Sequence, residues 1–335
     1  MERVRIGLVG CGLFGESHLQ AFRAIPEAEV AAVFDVDRER AKRLAAEFGV
    51  ARVCDSLEEL CALPELHAVD VVTPEHLHRE PVETALARGK HVFVEKPLAT
   101  NLDDCRSMIA AAEAAGRFLT VGHLLRFDTR YALIRERVAS GALGEVVLMQ
   151  ARRNRPVSLL ELYGRNHPAI ENCIHDVDQM LWCVDRPVTR VRGHGRRVTG
   201  RRFPDTFLGV LEFEGGAIGV VETIWLLPDA GGIALDDAFR VIGAKGVADL
   251  NLVPAALSFW EEGGYRAPDI YYDPRVFGSA RGALRDELAE FCRCVATDQA
   301  PKLNTGIEAA RAVRVVLALI ESAETDKEII INQWD

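Results

Sequence analysis

The sequence predicts an α/β protein: a doubly wound parallel sheet in its N-terminal part, then an α+β domain with a mostly antiparallel sheet. Three observations carry this. An apolar run, Ile6-Gly7-Leu8-Val9, ends in glycines spaced G-x-G-x-x-G (Gly10, Gly12, Gly15). Up to residue 121, short apolar runs alternate with helix-like segments of crossover length. Beyond it, strand-like runs follow one another with turn signals between them.

The glycine stretch reads as a strand, a tight turn and the start of a helix. Gly10 permits the sharp turn, and Gly12 lets a phosphate approach bare backbone. Gly15 lets helix and strand pack closely. The helix N-terminus, opened by Leu13 and Phe14, offers N–H groups and a partial positive charge. A second run, Val30-Ala31-Ala32-Val33-Phe34, ends in Asp35, 20 residues past Gly15. That is where a dinucleotide fold of the Rossmann type places the carboxylate for the adenosine ribose hydroxyls. The plainer alternative is an ordinary βαβ unit with a surface Asp. A carboxylate at Asp35 repels a ribose phosphate, so NAD is expected over NADP; Arg38, close by, weakens that preference.

The remaining elements follow from local chemistry. Residues 37–48 read as a helix capped by Asp37 and ended by Gly49. Ser56 caps a short helix to residue 61. Residues 68–72 form a buried-type strand ending at Thr73-Pro74. Residues 79–88 form a helix closed by Gly89, and 91–94 a strand ending at Glu95-Lys96-Pro97. Asn101 opens a helix to about residue 115, and 118–121 is the last strand of this series. The expected domain boundary follows: 1–122 for dinucleotide binding, 123–335 for substrate binding and oligomerisation. In the second part, residues 131–140, 175–183, 281–296 and 306–325 read as helices. Residues 146–152, 188–197, 206–213, 217–225, 238–242 and 247–252 read as strands, with Gly215-Gly216 as a hairpin turn. An open sheet needs its other face covered, which favours a homodimer or homotetramer.

A length of 335 residues suits about two domains with ample core. The net charge of −10 argues against nucleic acid or an anionic membrane as a main partner. Eight scattered cysteines include no C-x-x-C pair, so neither a zinc knuckle nor a disulfide framework is indicated. The glycines interrupt the uncharged N-terminal stretch and no small-residue cleavage site follows, so a secretory leader is not expected. No run is long enough to span a bilayer. A cytoplasmic protein with reduced thiols is expected.

Lys96 is the first candidate for chemistry. It ends a strand on the edge where the cofactor should lie, with Glu95 beside it. A lysine there donates to a substrate oxygen and stabilises alkoxide charge; the plain alternative is an exposed lysine at a turn. His175 is the second. Glu171, His175 and Asp178 fall at i, i+4 and i+7 and would share a helix face. That suits a general base held by a carboxylate, or simply a packed histidine. The spacing would also serve a metal, but nothing supplies a third neutral ligand, so none is expected. His76 and His78 either line the nicotinamide pocket, bind a metal, or bond to backbone. Arg152, Arg153, Arg155 and Arg165, with Tyr163, Asn166 and His167, either contact a polar or anionic substrate or form a solvated loop.

At these residues the chain resembles the glucose-fructose oxidoreductase, inositol dehydrogenase and rhizopine-catabolism (Gfo/Idh/MocA) family. The resemblance rests on V-G-C-G-L-F-G, V-V-T-P-E-H-L-H, A-R-G-K-H-V-F-V-E-K-P-L-A, V-G-H-L-L-R-F-D and I-H-D-V-D-Q-M-L-W, and covers essentially the whole chain. It implies an NAD-dependent dehydrogenase that oxidises a secondary alcohol of a cyclic polyol or sugar, with a large open sheet building dimers or tetramers. It implies that Lys96 binds the reacting oxygen and His175 takes the hydroxyl proton, with a cis peptide before Pro97. Thr73, Pro74, His76 and Glu95 would lie near the cofactor. Arg126, Arg153 and Asn172 are expected to join Lys96 and His175 at the substrate. Family members acting on sugars and inositols often carry Asp four residues before the histidine; here it is Glu171, which keeps the carboxylate with one more methylene. Three alternatives stay open: a nucleotide-sugar dehydrogenase or reductase, a glycosidase using tightly held NAD, and an NAD-sensing regulator. The regulator predicts a damaged catalytic set, whereas Lys96 and His175 are both present.

Overall fold

Six parallel strands form the first sheet, in the order β3-β2-β1-β4-β5-β6. They are β1 Val4–Val9, β2 Ala28–Phe34, β3 Arg52–Val53, β4 Ala68–Val71, β5 His91–Glu95 and β6 Leu119–Gly122. The structure, a computed structural model, describes residues 3–229, 235–261 and 264–332. Helices α1 Leu13–Arg23, α2 Arg38–Phe48, α3 Leu57–Cys61, α4 Arg79–Ala87 and α5 Leu102–Ala115 connect the strands. Asp37, Ser56 and Asn101 accept from the N–H of Arg40, Glu59 and Asp104 as N-caps, and Gly49 and Gly116 end their helices in the left-handed region. These are the caps the residue chemistry predicts. β3 was not foreseen: two residues against Ala32 and Val33 leave no periodic pattern.

β1 lies between β2 and β4, so the strand order reverses beside it. Ligands of such sheets bind in the crevice beyond the carboxyl ends at that point. β4 and β5 are buried along their whole length and read as apolar runs. Asp70, fully buried in the middle of β4, breaks that pattern.

The second sheet has seven strands in the order β12-β11-β7-β10-β9-β8-β17. These are β7 Val146–Asn154, β8 Val188–Arg196, β9 Thr206–Phe213, β10 Ile218–Ile224, β11 Asp236–Gly243, β12 Gly246–Asn251 and β17 Ile329–Ile330. β7 and β10 pair parallel; the other neighbours are antiparallel. The hairpin turn at Gly215-Gly216 places both glycines at positive φ. Phe207, Leu211 and Phe213 of β9 point to the covered face, and Leu208 and Val210 to the other. Helices α6 Thr129–Ala139, α7 Leu159–Tyr163 and α8 Ile174–Val184 belong to this part. α8 packs so closely on β10 that a Cβ at Gly219 would meet Met180 Sδ at 2.9 Å. Two further hairpins pair β13 Phe259–Glu261 with β14 Gly264–Arg266, and β15 Arg275–Val276 with β16 Ser279–Ala280. Helices α9 Ala283–Thr297 and α10 Gly306–Thr325 complete the chain's elements among the described residues.

The chain divides into two compact units: Met1–Asp128 with Asp269–Ala310, and Thr129–Pro268 with Arg311–Asp335. The expected single boundary after residue 122 differs from this. α9 returns to the first unit, where Leu284, Leu288, Phe291 and Cys292 enter one core with Val4, Ile6, Phe22, Ile25 and Phe93. Periodicity predicts that helix but does not say which sheet it covers.

Candidate active site

The glycine turn fits a dinucleotide phosphate. Gly10 has φ +102°, and a Cβ there would meet Val72 O at 2.6 Å. A Cβ at Gly15 would run into Gly10 O, so α1 lies directly on the turn. Over Gly12, by contrast, the space is open. Gly12 is also the N-cap of α1, and no side chain caps that end, which leaves it to an anion. Leu13 and Phe14 are exposed at its mouth. Asp35 Oδ2 accepts the Cys11 N–H at 2.7 Å and Oδ1 the Asp37 N–H at 2.8 Å. Arg38 turns to Asp55, at 2.6 Å. The guanidinium near Asp35 is instead that of Arg40, at 3.7 Å, which the sequence reading did not single out.

On the same carboxyl edge, β5 delivers Glu95 and Lys96. The Lys96–Pro97 peptide is cis. Glu95 Oε2 accepts the Lys96 N–H at 3.0 Å. Gly122 stands opposite Glu95 in β6, and a Cβ there would run into Glu95 Oε1. Lys96 itself is half-buried. Thr73 and Pro74 follow β4. His78, fully inside, faces Thr73 O at 3.0 Å with Nε2, and Pro97 O at 3.0 Å and Leu98 O at 3.2 Å with Nδ1. It therefore joins the loops after β4 and β5. Burial pushes its pKa down while these carbonyls pull it up. His76 is exposed, 3.7 Å from Glu75. The two histidines do not converge, so the metal option for this pair falls away. Among the described residues no group of three His, Cys, Asp or Glu side chains is placed to hold a metal.

In the second unit a π-helical turn, Ala169–Cys173, leads into α8. It inserts extra backbone between Glu171 and His175, so the i, i+4, i+7 argument does not carry over unchanged. Glu171 is buried, accepts from Asn166 Nδ2 at 2.5 Å and lies 3.8 Å from Arg165. It lines a shallow cavity with Tyr163, Asn166, Arg201, Phe203 and Trp225. His175 is half-buried in the first turn of α8, and Asp178 is fully inside.

Three expected substrate residues are hydrogen-bonded within the chain. Arg153 is 2% exposed and binds Asp176 at 2.8 Å and Asp237 at 2.7 Å. Arg126 is also buried, 2.6 Å from Glu308. Asn172 donates to Arg153 O at 3.3 Å and Thr223 Oγ1 at 2.9 Å. Arg152 and Arg155 pair with Asp236 and Asp237. These partners lie 19 to 182 residues away along the chain, where spacing arguments do not reach.

Open space over a glycine turn, with a largely buried carboxylate just after the next strand, marks a dinucleotide-binding domain. Residues 4–123 match the model of an oxidoreductase family with an NAD-binding Rossmann fold, and residues 131–249 match the GFO/IDH/MocA C-terminal domain. The chain belongs to the GFO/IDH/MocA family. It is 32% identical to inositol 2-dehydrogenase 3 of Saccharopolyspora erythraea over 64% of each chain, so it aligns with under two thirds of that relative. It is 32% identical to an inositol 2-dehydrogenase of Gluconacetobacter diazotrophicus over 75% of this chain and 74% of the relative. A probable dehydrogenase from Thermotoga maritima has the same fold, with a TM-score of 0.82 and 25% identity, covering 97% of this chain and 98% of that one.

Proposed function

We propose that this chain is an NAD-dependent dehydrogenase oxidising a secondary alcohol of a cyclic polyol of the inositol or sugar class. The observation that carries the reading is Lys96 at the carboxyl end of β5, with its N–H held by Glu95, on the edge that also bears Gly10, Asp35 and Thr73. When bound, NAD supplies the hydride acceptor. The Lys96 ammonium donates to the substrate oxygen and stabilises the negative charge that develops there. His175 takes the hydroxyl proton, and Glu171 accepts from a neighbouring hydroxyl. The relatives named for inositol support the substrate class.

The nucleotide-sugar alternative drew on the arginines from Arg152 to Arg165. Arg152, Arg153 and Arg155 are committed to Asp236, Asp176 and Asp237, which takes away most of that support and leaves it Arg165 beside Glu171. We assign the protein to the cytoplasm, since all eight cysteines are free thiols and buried. Among the described residues no helix is long and apolar enough to cross a membrane. We also assign it a homo-oligomeric state, since Leu208, Val210, Ile218 and Val220 lie on the more exposed face of the second sheet.

The test is NADH formation across inositols, free sugars, uronic acids and nucleotide sugars. Turnover on a cyclic polyol that Lys96→Ala abolishes, with NAD binding kept, is the expected result. Turnover retained in Lys96→Ala, or confined to nucleotide sugars, would overturn the reading.

A further inference from the structure

Helix α1 carries more than the phosphate turn. Its inward face presents His18, fully buried between the carboxylates of two strands. Nδ1 lies 2.8 Å from Asp70 Oδ2 in β4, and Nε2 lies 3.3 Å from Glu95 Oε1 at the end of β5. The rings of Phe14 and Phe93 approach the imidazole at 5.3 and 5.9 Å, with Phe22 at 6.5 Å. Asp273, bonded to Ser17 of the same helix, adds a third negative group to its field.

An imidazole with a carboxylate oxygen at each nitrogen satisfies both only when both nitrogens carry protons. A neutral ring would present its lone pair to one of the two. Burial acts against the charge, but Asp70 and Glu95 outweigh it and lift the pKa to about 10. Asp70 has little other reason to stand in an otherwise apolar, fully buried strand.

We propose that His18, held as an imidazolium by Asp70, is a positioning residue for the Glu95–Lys96 loop. It anchors one oxygen of Glu95 while the other holds the Lys96 N–H, and so links the cofactor-binding helix to the reacting lysine. The importance of Lys96 here rests on the function proposed above; the charge state of His18 does not. His18→Gln removes the cation between the two carboxylates; Asp70, whose pKa burial already pushes up, then takes a proton, and Glu95 loses its anchor.

The experiment reads the charge of His18 directly and needs no substrate. Nitrogen-15 NMR of the sequence-assigned His18 ring in the wild-type chain should show both nitrogens protonated from pH 6 to 9. A neutral ring at pH 7 overturns the proposal, and this arm stands even where the variant fails to fold. Proton–nitrogen NMR then follows the Lys96 backbone amide, which Glu95 holds. In His18→Gln this resonance should shift and its hydrogen exchange speed about tenfold, while those of Ala21 and Val92 stay in place. A Lys96 amide unmoved in His18→Gln, or moved no more than Ala21 and Val92, overturns the positioning role. Silence of the polyol panel with these shifts present would sink the proposed reaction and leave the link between His18 and Lys96 intact.

Discussion

Asp35 is engaged before any ligand arrives. Its two oxygens hold the backbone at Cys11 and Asp37, so the carboxylate cannot swing away from the end of β2. Each oxygen keeps a second lone pair for a ribose hydroxyl, while a 2′-phosphate would meet a fixed negative charge. Arg38 does not relieve this, because it is paired with Asp55; the Arg40 guanidinium, 3.7 Å from Asp35, offsets only part of it. Asp35→Ser should lower the NAD over NADP ratio of kcat/KM by about tenfold, the equivalent of ~1.4 kcal/mol. Steady-state kinetics with both cofactors would expose an unchanged ratio, and that result would refute the ribose role. Residues of this kind are legible in the sequence because turn geometry and spacing are local. The partners of Arg126 and Arg153 were not legible, for the opposite reason. Their carboxylates stand at Glu308, and at Asp176 and Asp237, and no local pattern announces the pairing. His18 and Asp70 were missed likewise: each looks ordinary alone, and the burial that makes the pair informative belongs to the folded sheet.

At the scale of elements, the second unit is fastened by buried ions as well as by apolar packing. Arg153 of β7 joins Asp176 of α8 to Asp237 of β11, and Arg155 shares Asp237. Two cations balance two anions, and all four are largely removed from water. Arg153→Met would leave Asp176 a buried carboxylate without that cation. Urea denaturation should show a loss of about 3–5 kcal/mol. Burial already pushes the Asp176 carboxyl up, and Arg153 pulls it down. Without the arginine its folded pKa rises further above the unfolded value, so the loss should be larger at pH 8 than at pH 5. A variant as stable as wild type at pH 8 would refute the clamp. The helix that carries His175 was legible from its apolar periodicity. The π-helical turn before it was not, because an inserted residue changes the backbone and not the pattern of residue types.

For the whole molecule, the outer face of the second sheet sets the expectation. Val220 stands opposite Val210 across β10 and β9, with Ile218 opposite Glu212 and Leu208 opposite Glu222 on the same face, an apolar stripe flanked by carboxylates. A face of this composition is best covered by a second copy. Light scattering should give a mass that is a multiple of the chain's. Val220→Glu should shift it towards one copy; a monomeric wild type would end the oligomer assignment. The strand and helix series, and the change of sheet type after the first sheet, could be read from the sequence. The allegiance of α9 could not, since an amphipathic helix does not name the surface it covers.

That allegiance also bears on the order in which the chain can fold. The side of the first sheet formed by Val4, Ile6, Phe22 and Phe93 is closed by Leu284, Leu288 and Phe291. During synthesis this apolar surface is complete only once Ala283–Thr297 has left the ribosome. The sheet is thus made well before the helix that seals it, and needs shelter from aggregation while the whole second sheet is being translated.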